Sequence, residues 1–153
     1  MEFMPARLSR QASDAFAATA QAHLDRAGFG LWAVEVRGGP AFIGYVGLQA
    51  PSFAAPFTPC VEIGWRLARE TWGHGYATEA ARACLEHGFG ALALPEVLAF
   101  TVPANVRSRA VMRRLGMIAD PAGAFEHPRL PAGHALRHHL LYRLTRAQWH
   151  AGR

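Results

Sequence analysis

The stretch Glu62–Ala80, EIGWRLARETWGHGYATEA, decides the fold of this chain. It begins with the alternation of apolar and polar residues that is typical of a strand with one buried face. The predicted strand covers Cys60 to Ala68, and a tight turn at Gly73-His74-Gly75 follows it. An alanine-rich helix with one apolar stripe comes next. The apolar strand face carries Val61, Ile63, Trp65 and Leu67, the other face carries Glu62, Gly64 and Arg66, and the helix stripe comprises Ala77, Ala80, Ala81, Cys84, Leu85, Gly88 and Phe89.

A glycine turn that leads from a strand into a helix is a ready site for an anion. The glycines let the backbone approach a ligand, and the helix N-terminus presents unpaired N–H groups and the positive end of its dipole. A Walker-type phosphate loop is excluded because the chain contains no Lys. A dinucleotide GxGxxG fingerprint is disfavoured because Thr78 stands at its last glycine position. The residues themselves therefore indicate a phosphate without deciding which compound carries it.

The elements on either side complete a mixed α/β domain. Helical spacing before the strand predicts a helix that ends at Gly28, and two apolar runs around a turn predict a hairpin. The loop Gln49–Pro59 is either a plain connector or a lip over a substrate pocket. The predicted elements ahead of that loop are a helix at Ser9–Ala27 and strands at Leu31–Val36 and Ala41–Leu48.

The part after the alanine-rich helix is predicted to contain strands and one short helix. Asn105 stands at the N-cap position of this helix, and Gly116 ends it. Its predicted buried side consists of Val106, Ala110, Val111 and Leu115. The predicted strands are Val97–Val102, then Met117–Ala119 and Ala124–Glu126 around a Pro-Ala-Gly turn, and last Arg137–Leu144.

Composition limits the classes of function. A chain of 153 residues, half of them apolar, has the size of one domain, here residues 1–153. It contains no run of 18 apolar residues and no apolar signal stretch in Met1–Arg10. Cys60 and Cys84 lack CxxC spacing, so we expect two free thiols in the reducing cytoplasm. The net charge of +5 is spread along the chain, which disfavours a nucleic-acid binder.

Three histidines near the C-terminus are candidates for a metal site. His134 and His138 are four residues apart, and His139 is adjacent. They fall in a loop that leads into a strand, and no nearby carboxylate or Cys pattern completes a usual ligand set. We therefore expect no metal.

Two motifs in this order resemble the GNAT superfamily of N-acetyltransferases, most closely its RimJ/RimL-type branch. The first is Glu62–Leu67 followed by Trp72–Ala80, and the second is Asn105–Met117. Phe125–Pro128 and His139–Leu144 also match that branch, so that the resemblance begins near Leu31. It implies a GNAT-like, mostly antiparallel mixed sheet flanked by helices. It also implies transfer of acetyl from acetyl-CoA to a primary amine, by direct attack in a ternary complex and without a metal.

The resemblance implies a role for particular residues in binding coenzyme A. The strand edge that ends at Leu67 and Ala68 would bond the pantetheine arm like an added strand. Asn105 would contact the same arm, and Ser108 would lie near the thioester sulfur. The pyrophosphate would be held by the backbone of Trp72, Gly73, His74, Gly75, Tyr76, Ala77 and Thr78.

Two side chains are the candidates for proton transfer. Glu62 is the candidate base, directly or through water, and otherwise a solvent-facing strand carboxylate. Ser108 is the candidate acid, and otherwise a helix serine that bonds its own backbone. An acid is not essential, because a thiol with a pKa of about 8.5 already leaves readily as thiolate. Asn105 serves equally as a helix cap.

The chain also departs from the family pattern. The usual first strand and helix are missing, since Met1–Met4 resembles the middle of a longer relative, and Glu70 stands where Arg or Gln is frequent. The strand at Leu31–Val36 is then expected to be a bare sheet edge. Either a partner subunit or the N-terminal residues would cover it, and we expect a homodimer. The missing part also leaves the acceptor open: a protein N-terminus or a small amine. A non-catalytic acyl-CoA-binding module is the alternative function.

Overall fold

The computed structural model describes residues 8–152. This part contains four α-helices and six β-strands, with a short 3₁₀ turn at Arg69–Thr71 ahead of the second helix. The bounds are α1 Arg10–Ala27, β1 Leu31–Val34, β2 Gly44–Gln49, β3 Glu62–Leu67, α2 Tyr76–Phe89, β4 Glu96–Thr101, α3 Val106–Arg114, β5 Ile118–Glu126, β6 His138–Thr145 and α4 Arg146–Ala151.

The six strands form one mixed sheet in the order β1-β2-β3-β4-β6-β5. Every neighbouring pair is antiparallel except β3 and β4, which are parallel. This confirms the mixed, mostly antiparallel fold. In the described part of the chain β1 lies at one edge of the sheet, as predicted, and β5 lies at the other.

One face of the sheet carries the hydrophobic core, and we call it the core face. Ile63 on β3 and Leu85 and Phe89 on α2 are almost fully buried there. Trp149 of α4 closes the core against Phe89, with ring centroids 5.7 Å apart. The remaining side chains of the cluster are Val46, Leu48, Ala81, Cys84, Val97, Ala99, Met112, Leu115, Met117, Tyr142 and Leu144. The prediction that Val61, Trp65 and Leu67 face the core with Ile63 is confirmed.

The opposite face, which we call the open face, is only partly covered. Alternation along β2 places Tyr45, Gly47 and Gln49 on it. Helix α1 reaches this face through Phe16, whose ring lies 5.4 Å from that of Tyr45. No residue of α1 is fully buried, so this helix is a partial cover and not a core element.

The first helix and the first hairpin form much as predicted. Ser9 caps α1 by accepting a bond from the Ala12 amide, and Gly28 ends it with a φ of 73°. The hairpin strands are shorter than predicted at their turn ends, because the chain from Glu35 to Ile43 closes through isolated bonds such as Ile43 N–H to Val34 C=O, 2.8 Å.

Two predictions about the C-terminal half were wrong. Val106 is 61% exposed, whereas Met112 is 2% exposed. Met112 is the buried residue of α3, and Leu115 at its C-cap is buried as well, whereas Ala110 and Val111 are half-buried. Val106 is the first helical residue and points outward. The Pro-Ala-Gly segment does not separate two strands. It is a bulge within the single strand β5, which pairs with β6 both before Asp120 and after Phe125.

The sequence analysis missed α4, although its start was readable. Thr145 and Gln148 form a capping box in which each side chain bonds the other's backbone. Within residues 8–152, no helix has both the length and the apolar character required to cross a bilayer. Residues 1–7 and 153 lie outside the described part, and with them the predictions for Met1–Met4.

Candidate functional site

The turn between β3 and α2 is open to solvent. Gly73 and Gly75 have φ angles of 83° and 85°, which only glycine adopts readily. A Cβ atom built on either glycine would meet no described atom within 4 Å. Gly75 is also the N-cap of α2 and makes no side-chain capping bond, so the first N–H groups of this helix have no such acceptor. The turn therefore has the exposed amides and the free space of an anion site.

Three aromatic side chains of this turn make contacts within the protein. The Trp72 indole Nε1 donates to the Leu67 carbonyl at 2.9 Å, and the Arg107 guanidinium lies 4.9 Å from the centre of a Trp72 ring. The His74 ring stacks on Tyr76 and lies 3.0 Å from the Trp72 carbonyl through Nδ1. These contacts occupy the side chains of Trp72, His74 and Tyr76. The Trp72 backbone is also used, because its amide donates to the Arg69 carbonyl at 3.1 Å and its carbonyl contacts His74, so the amides available to a ligand begin at Gly73.

An opening lies beside the turn, where β3 and β4 diverge. The two strands share a single register pair, Glu62 with Leu98, and the Leu98 amide donates to the Val61 carbonyl at 2.9 Å. Backbone groups alternate in direction along a strand, so those of Trp65 and Leu67 point toward the opening. Ala68 points the other way, and its amide donates to Ile43 of the neighbouring strand at 2.7 Å.

The two backbone groups predicted to bind an extended ligand are thus already partly used. The carbonyl of Leu67 accepts the Trp72 indole, and the amide of Ala68 belongs to the sheet. Trp65 is the other residue whose backbone faces the opening, and the sequence analysis did not single it out.

Asn105 and Ser108 lie on the core-face side of this opening. The Asn105 Oδ1 accepts from the Ser108 amide at 3.2 Å, and its Nδ2 donates to Thr101 at 3.1 Å, so the predicted cap is confirmed. The Ser108 hydroxyl accepts from the Trp65 indole at 3.2 Å. Because this hydroxyl is an acceptor in that bond, its own hydrogen remains available to another group.

Glu62 lies on the open face, on the other side of β3 from Ser108. Its carboxylate is half-buried, and Oε2 accepts from Gln49 Nε2 at 3.4 Å. Burial raises the pKa of Glu62 to about 7, although the bond from Gln49 acts in the opposite direction. A carboxylate poised near neutral pH is suited to accept a proton. This environment differs from that of an ordinary solvent-facing strand carboxylate.

The loop after β2 packs against the far side of the open face. Phe53 and Phe57 contact Phe100 of β4, with ring centroids 5.8 and 6.0 Å apart. Phe125, His127 and His139 join the same cluster, and all six rings remain half-exposed. The loop therefore forms a packed wall on the open face of the sheet.

The thiols and histidines have less distinctive surroundings. Cys60 and Cys84 are free, and burial raises the pKa of each thiol to about 11. Among the described residues, no group of three or more His, Cys, Asp or Glu side chains is arranged to hold a metal ion.

Two residues of the site were missed by the sequence analysis. Gln49 was placed in a loop, but it ends β2 directly opposite Glu62 in the β2–β3 register. Pairing the predicted strands residue by residue would have found it. Arg107 was quoted only as part of a motif, and its position over Trp72 depends on how α3 packs, which no local pattern reveals.

Comparison with known proteins agrees with the geometry. Residues 1–118 match the family model described as acetyltransferase (GNAT) domain. The chain is 32% identical over 126 residues to the FsC-acetyl coenzyme A-N(2)-transacetylase of Aspergillus fumigatus, covering 80% of this chain and 52% of that protein. It spans about half the length of the curated relatives that it matches.

Solved structures show the same fold. An acetyltransferase from Agrobacterium tumefaciens is 28% identical, with a TM-score of 0.67, over 92% of this chain and 74% of that one. RimJ from Mycobacterium smegmatis, solved in complex with CoA-disulfide, is 25% identical, with a TM-score of 0.68, over 93% and 68%. The predicted similarity to the RimJ/RimL-type branch is confirmed.

The environment of Glu62 predicts an effect on stability. Its folded pKa of about 7 exceeds the usual value of about 4.3, so the folded state binds this proton more tightly than the unfolded state does. The free energy of unfolding then falls as pH rises through this window. We expect Glu62→Gln to match the wild type near pH 4 and to be more stable by about 3 kcal/mol at pH 8.

Chemical denaturation at both pH values measures this difference. The exposed Glu35→Gln variant is the control and is expected to follow the wild type. Parallel pH dependence of the wild type and Glu62→Gln would show that Glu62 is not desolvated in the folded state.

Proposed function

The chain belongs to the GNAT acetyltransferase family, and on that premise we propose that it transfers acetyl from acetyl-CoA to a primary amine. One observation carries the proposal: an uncapped helix N-terminus behind two exposed positive-φ glycines adjoins the opening between β3 and β4. A diphosphate at the turn and an extended arm in the opening would make one continuous binding path.

The proposed path uses backbone groups at one end and side chains at the other. Of the predicted amides from Trp72 to Thr78, those from Gly73 onward would hold the pyrophosphate, because the Trp72 amide already donates to the Arg69 carbonyl. The β3 edge toward Leu67 and Ala68 would guide the pantetheine arm. Because the Leu67 carbonyl and the Ala68 amide already have partners, the backbone of Trp65 is the freer part of this edge. Asn105 would reach the arm with the second hydrogen of its amide.

The catalytic step that we propose is direct attack of the amine in a ternary complex. Glu62 takes a proton from the ammonium, and the freed lone pair attacks the thioester carbon. The tetrahedral intermediate then collapses, the C–S bond breaks, and CoA leaves as thiolate, while the surplus proton on the amide nitrogen passes to that thiolate or to water. If Ser108 gives its hydroxyl proton to the sulfur, the proton from the nitrogen replaces it, so that serine, a neutral amide and CoA thiol remain. Since Glu62 and Ser108 lie on opposite sides of β3, the amine and the sulfur would approach the carbonyl from different sides.

The proposal also covers the acceptor, the cellular compartment and a second candidate function. The acceptor is either a protein N-terminus or a small amine. Two free thiols suit a protein of the cytoplasm. A non-catalytic acyl-CoA-binding module is the second candidate function.

The first prediction separates catalysis from binding. Glu62→Gln should lower the rate of acetyl transfer by about 10²-fold or more, the usual contribution of a general base, while calorimetry finds CoA affinity nearly unchanged. Thiol release with a panel of amines measures the rate, and the wild-type rate should rise with pH through about 7. An unchanged rate in Glu62→Gln removes this residue from the mechanism, and CoA binding without turnover in the wild type favours the non-catalytic module.

The second prediction concerns the turn. Gly73→Val should weaken CoA binding by at least about tenfold, because its side chain enters the space that the pyrophosphate needs and strains a positive φ. Gly133→Val is the matched control, since Gly133 has a φ of 79° and equally open surroundings in the β5–β6 connection. If both variants bind CoA like the wild type, the pyrophosphate site lies elsewhere.

The third prediction concerns assembly. We propose that a second copy of the chain covers the exposed edge of β1, because an unpaired edge invites pairing. Sedimentation at micromolar concentration should then find a homodimer. Replacing Ala33, an exposed residue of β1, by Pro removes a backbone donor and should shift the equilibrium toward monomer. A wild-type monomer at that concentration contradicts the proposal.

A further inference from the structure

The Glu62 carboxylate uses its two oxygens differently. Oε2 accepts the bond from Gln49, as described above. Oε1 has no donor in the described part of the chain, and it lies 3.9 Å from the position that a Cβ atom on Gly64 would occupy. One oxygen is therefore held by the protein, and the other is presented above a residue that has no side chain.

Gly64 keeps the space beside Oε1 open. It lies in the middle of β3 on the open face, between Glu62 and Arg66, and it needs no unusual φ angle. Within residues 8–152, Glu62 Oε1 is the only atom within 4 Å of its would-be Cβ. Glycine in a strand interior weakens the strand and is frequent where a ligand approaches the backbone closely. Backbone conformation thus gives no reason for glycine here, whereas access to Glu62 does.

From this arrangement we infer that Gly64 is the residue that selects the acceptor, because its missing side chain leaves room for the ammonium group at Oε1 of Glu62, and that Gln49 is the positioning residue that holds Oε2. The inference rests on the proposed function and identifies the preferred acceptor as an unhindered primary amine. A buried carboxylate with one unpaired oxygen favours a cation as its partner.

The proton balance of the site is simple. One N–H bond of the ammonium breaks and one O–H bond forms at Oε1, which leaves a neutral amine and a neutral carboxylic acid. Gln49 can donate to Oε2 before and after the transfer, because a protonated carboxyl still has acceptor capacity at that oxygen. No further reactant is needed for this step.

The titratable groups near Glu62 do not titrate in the same pH range as its carboxyl group. Burial raises the pKa of the Tyr45 hydroxyl and of the Cys60 thiol, the latter to about 11, and the negative charge of Glu62 raises both further. Arg66 lies on the open face at the other end of β3, and its guanidinium carbon is 5.9 Å from the centre of the Tyr45 ring. A carboxyl signal that titrates near neutral pH in this region therefore belongs to Glu62.

Kinetics test the position of the amine. With saturating acetyl-CoA, Gly64→Ala should raise the KM for an unbranched amine about tenfold, as expected when a methyl group occupies a tight site, and Gly64→Val should raise it further. An amine branched next to its nitrogen should suffer more than the unbranched one, while CoA affinity stays unchanged. Gly152→Ala, at the end of α4, is the control and should behave like the wild type.

Titration tests the same site without any acetyl transfer. The ¹³C signal of the labelled Glu62 carboxyl is followed by NMR with CoA bound, in the absence and presence of an excess of a simple primary amine. The amine should lower the titration midpoint in the wild type and in Gly152→Ala, because a nearby cation favours the carboxylate, and should have no effect in Gly64→Val. Gln49→Leu should raise the midpoint by about one pH unit even without amine.

The outcomes separate this inference from the proposed function. A wild-type midpoint that does not respond to amine, or a Gly64→Val variant that behaves like Gly152→Ala in both assays, overturns the inference even if acetyl transfer is robust. If the amine lowers the midpoint in the wild type and in Gly152→Ala but not in Gly64→Val, and no amine is acetylated, the ammonium site stands and the proposed function fails.

Discussion

The sheet is held together across its middle by a very short stretch of pairing between β3 and β4. The Leu98 amide bonds the Val61 carbonyl, and Glu62 with Leu98 is the only register pair. Each half of the sheet is otherwise a self-sufficient antiparallel unit, β1-β2-β3 on one side and β4-β6-β5 on the other. The halves can therefore diverge beyond Glu62, and the packing of α2 across the core face keeps them in one domain.

This divergence organises the rest of the site. It leaves the backbone of Trp65 and Leu67 without a strand partner, brings the Trp65 indole to Ser108 across the gap, and lets Trp72 fold back onto Leu67. The glycine turn follows directly, so the uncapped start of α2 lies next to the opening. Alternation along β3 then assigns Trp65 to the core face and Glu62 to the open face. One irregularity in strand pairing thus places an anion site, a channel for an extended chain and a desolvated carboxylate within a few residues.

Local patterns predicted much of this arrangement, and the failures have physical causes. The alternation around Ile63, the cap at Asn105 and the glycine at Gly28 are short-range signals, and all were read correctly. The phase of α3 was wrong because Val106 and Met112 are both apolar, and only the direction of packing decides which is buried. The β5 bulge was taken for a turn because Pro121 and Gly123 suit both. The site roles of Gln49 and Trp65 were not predicted, because they depend on hydrogen bonds to residues far away in the sequence, Glu62 and Ser108, which the sequence of a single segment does not reveal.

Glu62 also explains why the open face is left incomplete. Burial raises its pKa to about 7, and the face on which it lies also carries the wall of Phe53, Phe57 and Phe100 and the partial cover by α1. Complete burial would exclude any amine, so α1 remains a partial cover with no fully buried residue, and position 64 has no side chain. The carboxylate is consequently less stable in the folded protein than it would be in water, and an arriving cation relieves that cost. The same desolvation that weakens the fold at neutral pH thus supplies both the affinity for an ammonium group and the basicity needed to deprotonate it.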